Sequence, residues 1–419
     1  MIVREQLDSG LCLLTETRPD VRSVSFGAWL TRGSRHEPEP RSGIAHFVEH
    51  MLFKGTARRS AEDIAQEIDS IGGQLDAFTA KECASYYVKV LDEHLPRAVD
   101  VLSDLLLHPA FDADDIEREK KVVLEEIKMV EDTPDDLVHE LYTQRFWTDH
   151  PLGRPILGVP ETVTALDGAT LRAYFAETYT AANLIVAVAG NIEHTAVRDL
   201  VGQAFDGVRR EGAPSAEVAP MAIPGLQIRD KALEQCHLCL GTHGYSQGHD
   251  DRYASYLLNI VLGGSMSSRL FQNIREKRGL AYAVSSGLVS YRDGGAFSIY
   301  AGCDRETVRE VMDLTVAELQ TLRDRPVPAD ELQRAKDHLK GSLVLSLESM
   351  TNRMSHMARQ EMYFGRQISL EESLEGVMRV TAEDIQRVAR DLFAPGGLAA
   401  TVLGPVDGLG LDEAQLALS

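Results

Sequence analysis

The sequence predicts an α+β protein built as a duplication: two homologous domains, each an antiparallel or mixed sheet with helices packed on one face. Three observations carry this. The chain has 419 residues, more than a single hydrophobic core usually serves. Its halves align locally at nearly constant offset. Each half also runs from strands through long helices to a buried apolar strand, the order expected when helices gather on one side of a sheet.

The internal alignments are specific. GIAHFVEHMLFKG, ending at Gly55, parallels YASYLLNIVLGG, ending at Gly264, at an offset of 209. Asp114 to Lys120 parallels Asp330 to Lys336 at 216, and Leu184 to Ile192 parallels Leu398 to Val406 at 214. Repeated spacing of this kind marks a repeated structural unit.

In chain order, MIVREQLDSGLCLLTETR reads as two short strands around Asp8-Ser9-Gly10. An amphipathic helix starts near Ser42 and is closed by Gly55. DADDIEREKKVVLEEIKMVED forms a second helix, with Ile116, Val122, Val123, Ile127 and Val130 as its apolar arc. LIVAVAGNI is a buried strand. Residues 211–226, EGAPSAEVAPMAIPGL, are rich in Pro, Ala and Gly without hydrophobic period and read as a linker. The expected division is therefore a domain at 1–210, the linker, and a second domain at 227–419. In that second domain Cys236-His237-Leu238-Cys239 reads as a strand with Cys236, Leu238 and Leu240 on one face, because no second CxxC completes a four-thiolate site.

Composition narrows the function. Apolar residues make up 44%, enough for substantial cores, and 43 Lys+Arg against 64 Asp+Glu give a net charge of −21. That charge repels nucleic acid and anionic membrane surfaces and favours cationic substrates, and it also keeps a soluble protein dispersed. No window approaches the roughly 18 consecutive apolar residues of a membrane span, and the amino-terminal stretch lacks a signal h-region. Five scattered cysteines do not form a disulfide framework. A soluble protein in the reducing cytoplasm is expected.

The chemistry lies in the first half. His46 and His50 stand four residues apart in a helix, so both imidazoles project from one face toward a single ion. Glu49 flanks that face, placed to touch a water on the metal. In the second helix Glu119 and Glu126 fall inside the apolar arc, where a carboxylate costs several kcal/mol unless paired or bound to a cation. The repeat acts as a control. His46, Glu49 and His50 align with Ser255, Leu258 and Asn259, and Glu119 and Glu126 with Ala335 and Ser342, so histidines and carboxylates vanish from the second copy together. Two histidines and one glutamate leave the fourth corner of a tetrahedral zinc open to water, which distinguishes catalytic from structural zinc sites. Glu119 stands where it could orient a ligand histidine from behind.

These residues resemble the inverted-motif (HxxEH) zinc peptidases of the pitrilysin type, similar to mitochondrial processing peptidase and its bacterial homologues, across essentially the whole chain. The resemblance rests on GIAHFVEHMLFKGT, on the 76 residues from His50 to Glu126, on DAFTAKECASYY and on LGGSMSSRLFQNIREKRGLAYAVSS. It implies one Zn2+ per chain at His46, His50 and Glu126, with Glu49 as base and Glu119 as an accessory acid. It implies that Arg275 and Tyr282 bind the substrate backbone and stabilise the oxyanion, although taken alone they read as a surface charge and a packing residue. It also marks Ala77, Phe78 and Thr79 as a substrate-binding edge strand, with Asp76 where the family pattern has asparagine. Relatives with four such domains enclose their peptide. A two-domain chain carrying both the zinc set and the Arg/Tyr pair is therefore expected to form a homodimer, each Arg275 and Tyr282 completing the other subunit's site, or a heterodimer with a paralogue. The rival expectations are a non-catalytic structural or assembly subunit and a metal-storing or metal-sensing protein.

Overall fold

The computed structural model describes residues 2–211 and 217–418. Of the expected linker, 212–216 lie outside the described residues, 217–224 are neither helix nor strand, and Gly225 already begins a strand. The described residues form two compact units, each with its own sheet.

The first unit holds β1 (Ile2–Gln6), β2 (Cys12–Thr17), β3 (Ser23–Leu30), β4 (Gln74–Thr79), β5 (Ala84–Leu91) and β6 (Leu184–Gly190), ordered β1-β2-β6-β3-β5-β4. Only β2 and β6 run parallel. Strand side chains alternate between faces, and here the alternation sorts two cores. Val24, Phe26, Ala28, Leu30, Val186 and Val188 face a large core shared with α1 (Ile44–Leu52), α2 (Ala61–Asp69), α3 (Leu95–Leu107) and the start of α4 (Ala113–Asp132).

The opposite face is covered as well. Trp29, Ile185, Ala187 and Ala189 meet Met354, Met357, Ala358 and Met362 of a helix at Met350–Phe364. Gly27 makes room for it, since a Cβ there would lie 2.6 Å from the Met354 sulfur. Burial on both faces is why β6 is apolar throughout and does not alternate.

The second unit repeats the plan. Its strands are β7 (Gly225–Asp230), β8 (Cys236–Gly244), β9 (Ala281–Ser290), β10 (Gly295–Cys303) and β11 (Ala399–Gly404), ordered β7-β11-β8-β10-β9 with β7 and β11 parallel. The helices Arg252–Leu262 and Ala329–Ser346 correspond to α1 and α4. Cys236, Leu238 and Leu240 face one core, while Cys239 faces Leu137, Val138, Tyr142 and Phe146 of α5 (Pro134–Phe146). The five cysteines are free thiols inside the protein, as the strand reading of Cys236 and Cys239 requires.

The units depart from a division at 1–210 and 227–419. Residues 129–153, with α5, belong to the second unit, and 346–367 belong to the first. Each sheet's second apolar face is covered by a helix from the other half of the sequence. A second correction concerns α4: Ile116 and Val123 are buried, but Val122 is exposed, because one residue turns the helix by about 100° and carries it past the rim of the buried arc.

Candidate active site

The start of α1 is fixed by backbone rather than by a side-chain cap. Gly43 precedes the helix at φ 93°, and a Cβ there would sit 2.6 Å from the Leu157 carbonyl oxygen. Only glycine fits both the left-handed conformation and the contact. The helix's first N–H groups have no intrahelical partner. Glu37 accepts two of these donors, from Gly43 N–H at 2.8 Å and Ala45 N–H at 2.7 Å. Burial pushes the Glu37 carboxyl up to about 7, against the pull of those N–H groups.

With Ile44, Ala45, Phe47, Val48, Met51 and Leu52 buried, α1 presents His46, Glu49 and His50 on its remaining arc. Glu126 of α4 reaches the same place: its carboxylate oxygens lie 3.8 Å from His46 Nε2 and 3.7 Å from His50 Nε2. Ligand atoms of all three residues lie within 4.8 Å of one another.

The donor set fits a divalent zinc. Burial, then the neighbouring His50, lowers the His46 pKa to about 4, which keeps its imidazole neutral with a lone pair available. His50 Nδ1 stands 3.1 Å from Glu119 Oε2; in the tautomer whose Nδ1–H donates to that carboxylate, Nε2 keeps a lone pair for a metal. Among the described residues the buried Glu126 Oε2 has no hydrogen-bond partner, as suits an atom shaped to meet a cation.

Glu119 is itself only 7% exposed, and Lys54 Nζ stands 2.8 Å from its other oxygen, supplying the countercharge a buried carboxylate needs. Glu49 accepts a hydrogen bond from the Thr79 hydroxyl at the end of β4. Burial raises its pKa, opposed by Thr79 and by His50. Lys54 and the link from Thr79 to Glu49 escape a sequence reading. Lys54 stands in the turn after α1, so neither it nor the Thr79 contact carries a periodic signal.

β4 is the outer strand of its sheet. Ala80 N–H bonds the Cys83 carbonyl at 2.7 Å, and the β4–β5 register runs on without a bulge. In an antiparallel pair, bonded and non-bonded residue pairs alternate. Ala80 pairs with Cys83, so Phe78 and Asp76 also bond toward β5, and Leu75, Ala77 and Thr79 turn their backbone groups to the open edge. The Phe78 side chain lies on the other face, edge-on to Trp29 with ring centres 5.5 Å apart.

Arg275 and Tyr282 lie in the second unit, and they come together there. Arg275 occupies a π-helical turn, Phe271–Glu276, and its guanidinium stacks 5.2 Å from the Tyr282 ring centre and 4.8 Å from that of Phe271. Tyr282 is 77% exposed at the start of β9, so among the described residues most of its surface is left open. π-Turns are rare and recur at functional positions.

Comparison with known proteins agrees with this geometry. Residues 12–159 match the family model described as insulinase (peptidase family M16), and residues 165–339 match the peptidase M16 inactive domain. The uncharacterized zinc protease YmxG of Bacillus subtilis is 43% identical over 393 residues, 94% of this chain and 96% of that protein. An uncharacterized zinc protease of Mycobacterium tuberculosis is 41% identical over 96% of this chain and 93% of its own length. Two solved structures share the fold. A protease from Helicobacter pylori superposes with a TM-score of 0.91 at 21% identity, covering 96% of this chain and 99% of that one. A peptidase M16 inactive domain from Pseudomonas fluorescens gives 0.90 at 22%, covering 97% and 98%. With two M16 domains in tandem and full-length zinc-protease relatives, this chain belongs to peptidase family M16.

Proposed function

We propose that the protein is a zinc-dependent endopeptidase that hydrolyses extended or unfolded peptides, binding one zinc ion per chain at His46, His50 and Glu126. The observation that carries this reading is the convergence of two imidazole nitrogens and a carboxylate beside a second, desolvated carboxylate tied to an open strand edge. Zinc held there would supply Lewis-acid polarisation of a peptide carbonyl and lower the pKa of a water toward about 7.

The chain's own residues do the rest. A peptide adds to β4 through the outward backbone groups of Ala77 and Thr79, with Phe78 contacting its side chains. Glu49 takes a proton from the attacking water and returns it to the leaving amine; its burial raises its basicity for that task. Glu119 holds His50 in the tautomer that offers Nε2. Arg275 and Tyr282 aim a cation and a phenol O–H at the charge developing on the carbonyl oxygen.

In this reading the active form is a homodimer, with Arg275 and Tyr282 serving the partner subunit's site inside a closed chamber, and the setting is the cytoplasm. Among the described residues no helix is long and apolar enough to cross a membrane, and the five thiols are unpaired. A purely structural subunit would need neither the complete donor set nor a desolvated Glu49 beside it.

Cleavage of a quenched fluorescent peptide should vanish on chelation and return with zinc; a chelation-insensitive activity ends the proposal. Glu49→Gln and Arg275→Ala, each inactive alone, should recover about a quarter of parental activity when subunits are mixed and exchanged. No recovery would place the Arg/Tyr pair elsewhere, in a heterodimer or within one chain.

A further inference from the structure

The open edge of β4 is not free in this structure. Ala77 N–H, one of its outward donors, is taken by the carboxylate of the preceding residue: Asp76 Oδ1 accepts it at 2.8 Å. The other carboxylate oxygen is held by the Tyr87 hydroxyl at 3.0 Å, directly across the β4–β5 pair. Tyr87 packs against the same core as Trp29, so the brace is anchored in the fold. An incoming peptide strand needs the Ala77 N–H for its own carbonyl.

We propose that Asp76 is a substrate-selecting latch on this edge: it closes the Ala77 N–H in the free protein, yields it to the peptide, and then faces the peptide residue paired opposite it. This rests on the reading of β4 as the peptide-binding edge. The exchange is unequal. A charge-assisted bond from a carboxylate is stronger than one from a neutral carbonyl, so a peptide gains less from the edge than an uncapped strand would give. Once displaced, Asp76 Oδ1 has lost its donor while Tyr87 still holds Oδ2. A lysine or arginine on the facing peptide residue restores a partner; an aspartate or glutamate there meets like charge across the strand pair. Between substrates the latch otherwise covers an exposed strand edge, a position that invites unwanted pairing.

Peptide binding to the full-length Glu49→Gln protein, which should not turn substrate over, tests the latch. The probe is a fluorescein-labelled uncharged nonapeptide and its versions with arginine or glutamate placed at each position in turn, read by anisotropy. With Asp76 present, one position should rank arginine over neutral over glutamate. Asp76→Asn keeps an oxygen for the Ala77 N–H without the charge, so neutral-peptide affinity should fall between that of the parent and that of Asp76→Ala while the ranking collapses. Asp76→Ala opens the edge, and the neutral peptide should bind three- to tenfold more tightly, again without ranking. Glu62→Gln, which removes a charge on α2, should leave the ranking intact. Unchanged or weaker neutral binding in Asp76→Ala, a ranking that survives in Asp76→Asn, or no binding to any of the proteins would overturn the latch. Hydrolysis by the Glu49 parent, measured separately, judges the peptidase reading.

Discussion

Glu49 and Glu126 stand at one site, yet their surroundings assign them different work. Glu126 faces two imidazole nitrogens, whereas Glu49 is tied to the strand where a peptide would lie. Glu49→Gln should therefore keep its zinc and lose about a hundredfold or more in turnover, while Glu126→Ala should lose metal together with activity. Metal analysis beside the peptide assay separates the two. His46 supplies a pH prediction for the chelated protein. Its folded pKa lies below the unfolded value, so its contribution to stability is full above about 6.5 and declines as pH falls toward about 4. The loss should reach roughly 3 kcal/mol at most. Denaturant titrations between pH 7 and 4 should show a steeper decline for the parent than for His46→Gln. The imidazoles and the two glutamates of α4 were legible in the sequence because helical spacing places side chains reliably. Glu37, Lys54 and the bond from Thr79 to Glu49 were harder to find, since they depend on loop and strand contacts that no period records.

Among the elements, α1 depends most on Gly43, the residue that precedes it. Gly43→Ala adds a Cβ to a left-handed backbone 2.6 Å from the Leu157 oxygen, with no flexible side chain able to yield. The expected cost is about 2–4 kcal/mol, seen as a lower denaturation midpoint. Because α1 carries two of the proposed ligands, His46 and His50, zinc affinity should fall in the same variant. α1 could be read from its amphipathic period and the glycine that follows it, and α4 from its amphipathic period alone. The misplaced Val122 shows the limit: apolar character at the rim of a helix does not decide which residues are covered. The open edge of β4 was named only through the family resemblance, because strand order follows from long-range pairing that no local period records.

Taken whole, the chain exchanges helices between its halves. A fragment ending at residue 210 should therefore fail to fold cooperatively. It lacks Met354, Met357 and Met362, which cover Trp29 and Ile185, and it carries α5 without Cys239, Ala399 and Leu403 to receive it. Calorimetry would test this: one sharp transition in the fragment would contradict the exchange. The duplication and its order of elements were visible in the internal offsets. The exchange was not, because an amphipathic helix records that it must be covered without recording by which sheet.

Helix exchange also sets a timetable for biosynthesis. The last strand of the first sheet, β6, ends at Gly190, but the helix that covers that sheet's second face ends at Phe364. At the usual pace of translation the ribosome needs roughly ten to thirty seconds for that interval. Throughout it the indole of Trp29 and its apolar neighbours lack their lasting cover, which makes the half-made chain a natural client for chaperones.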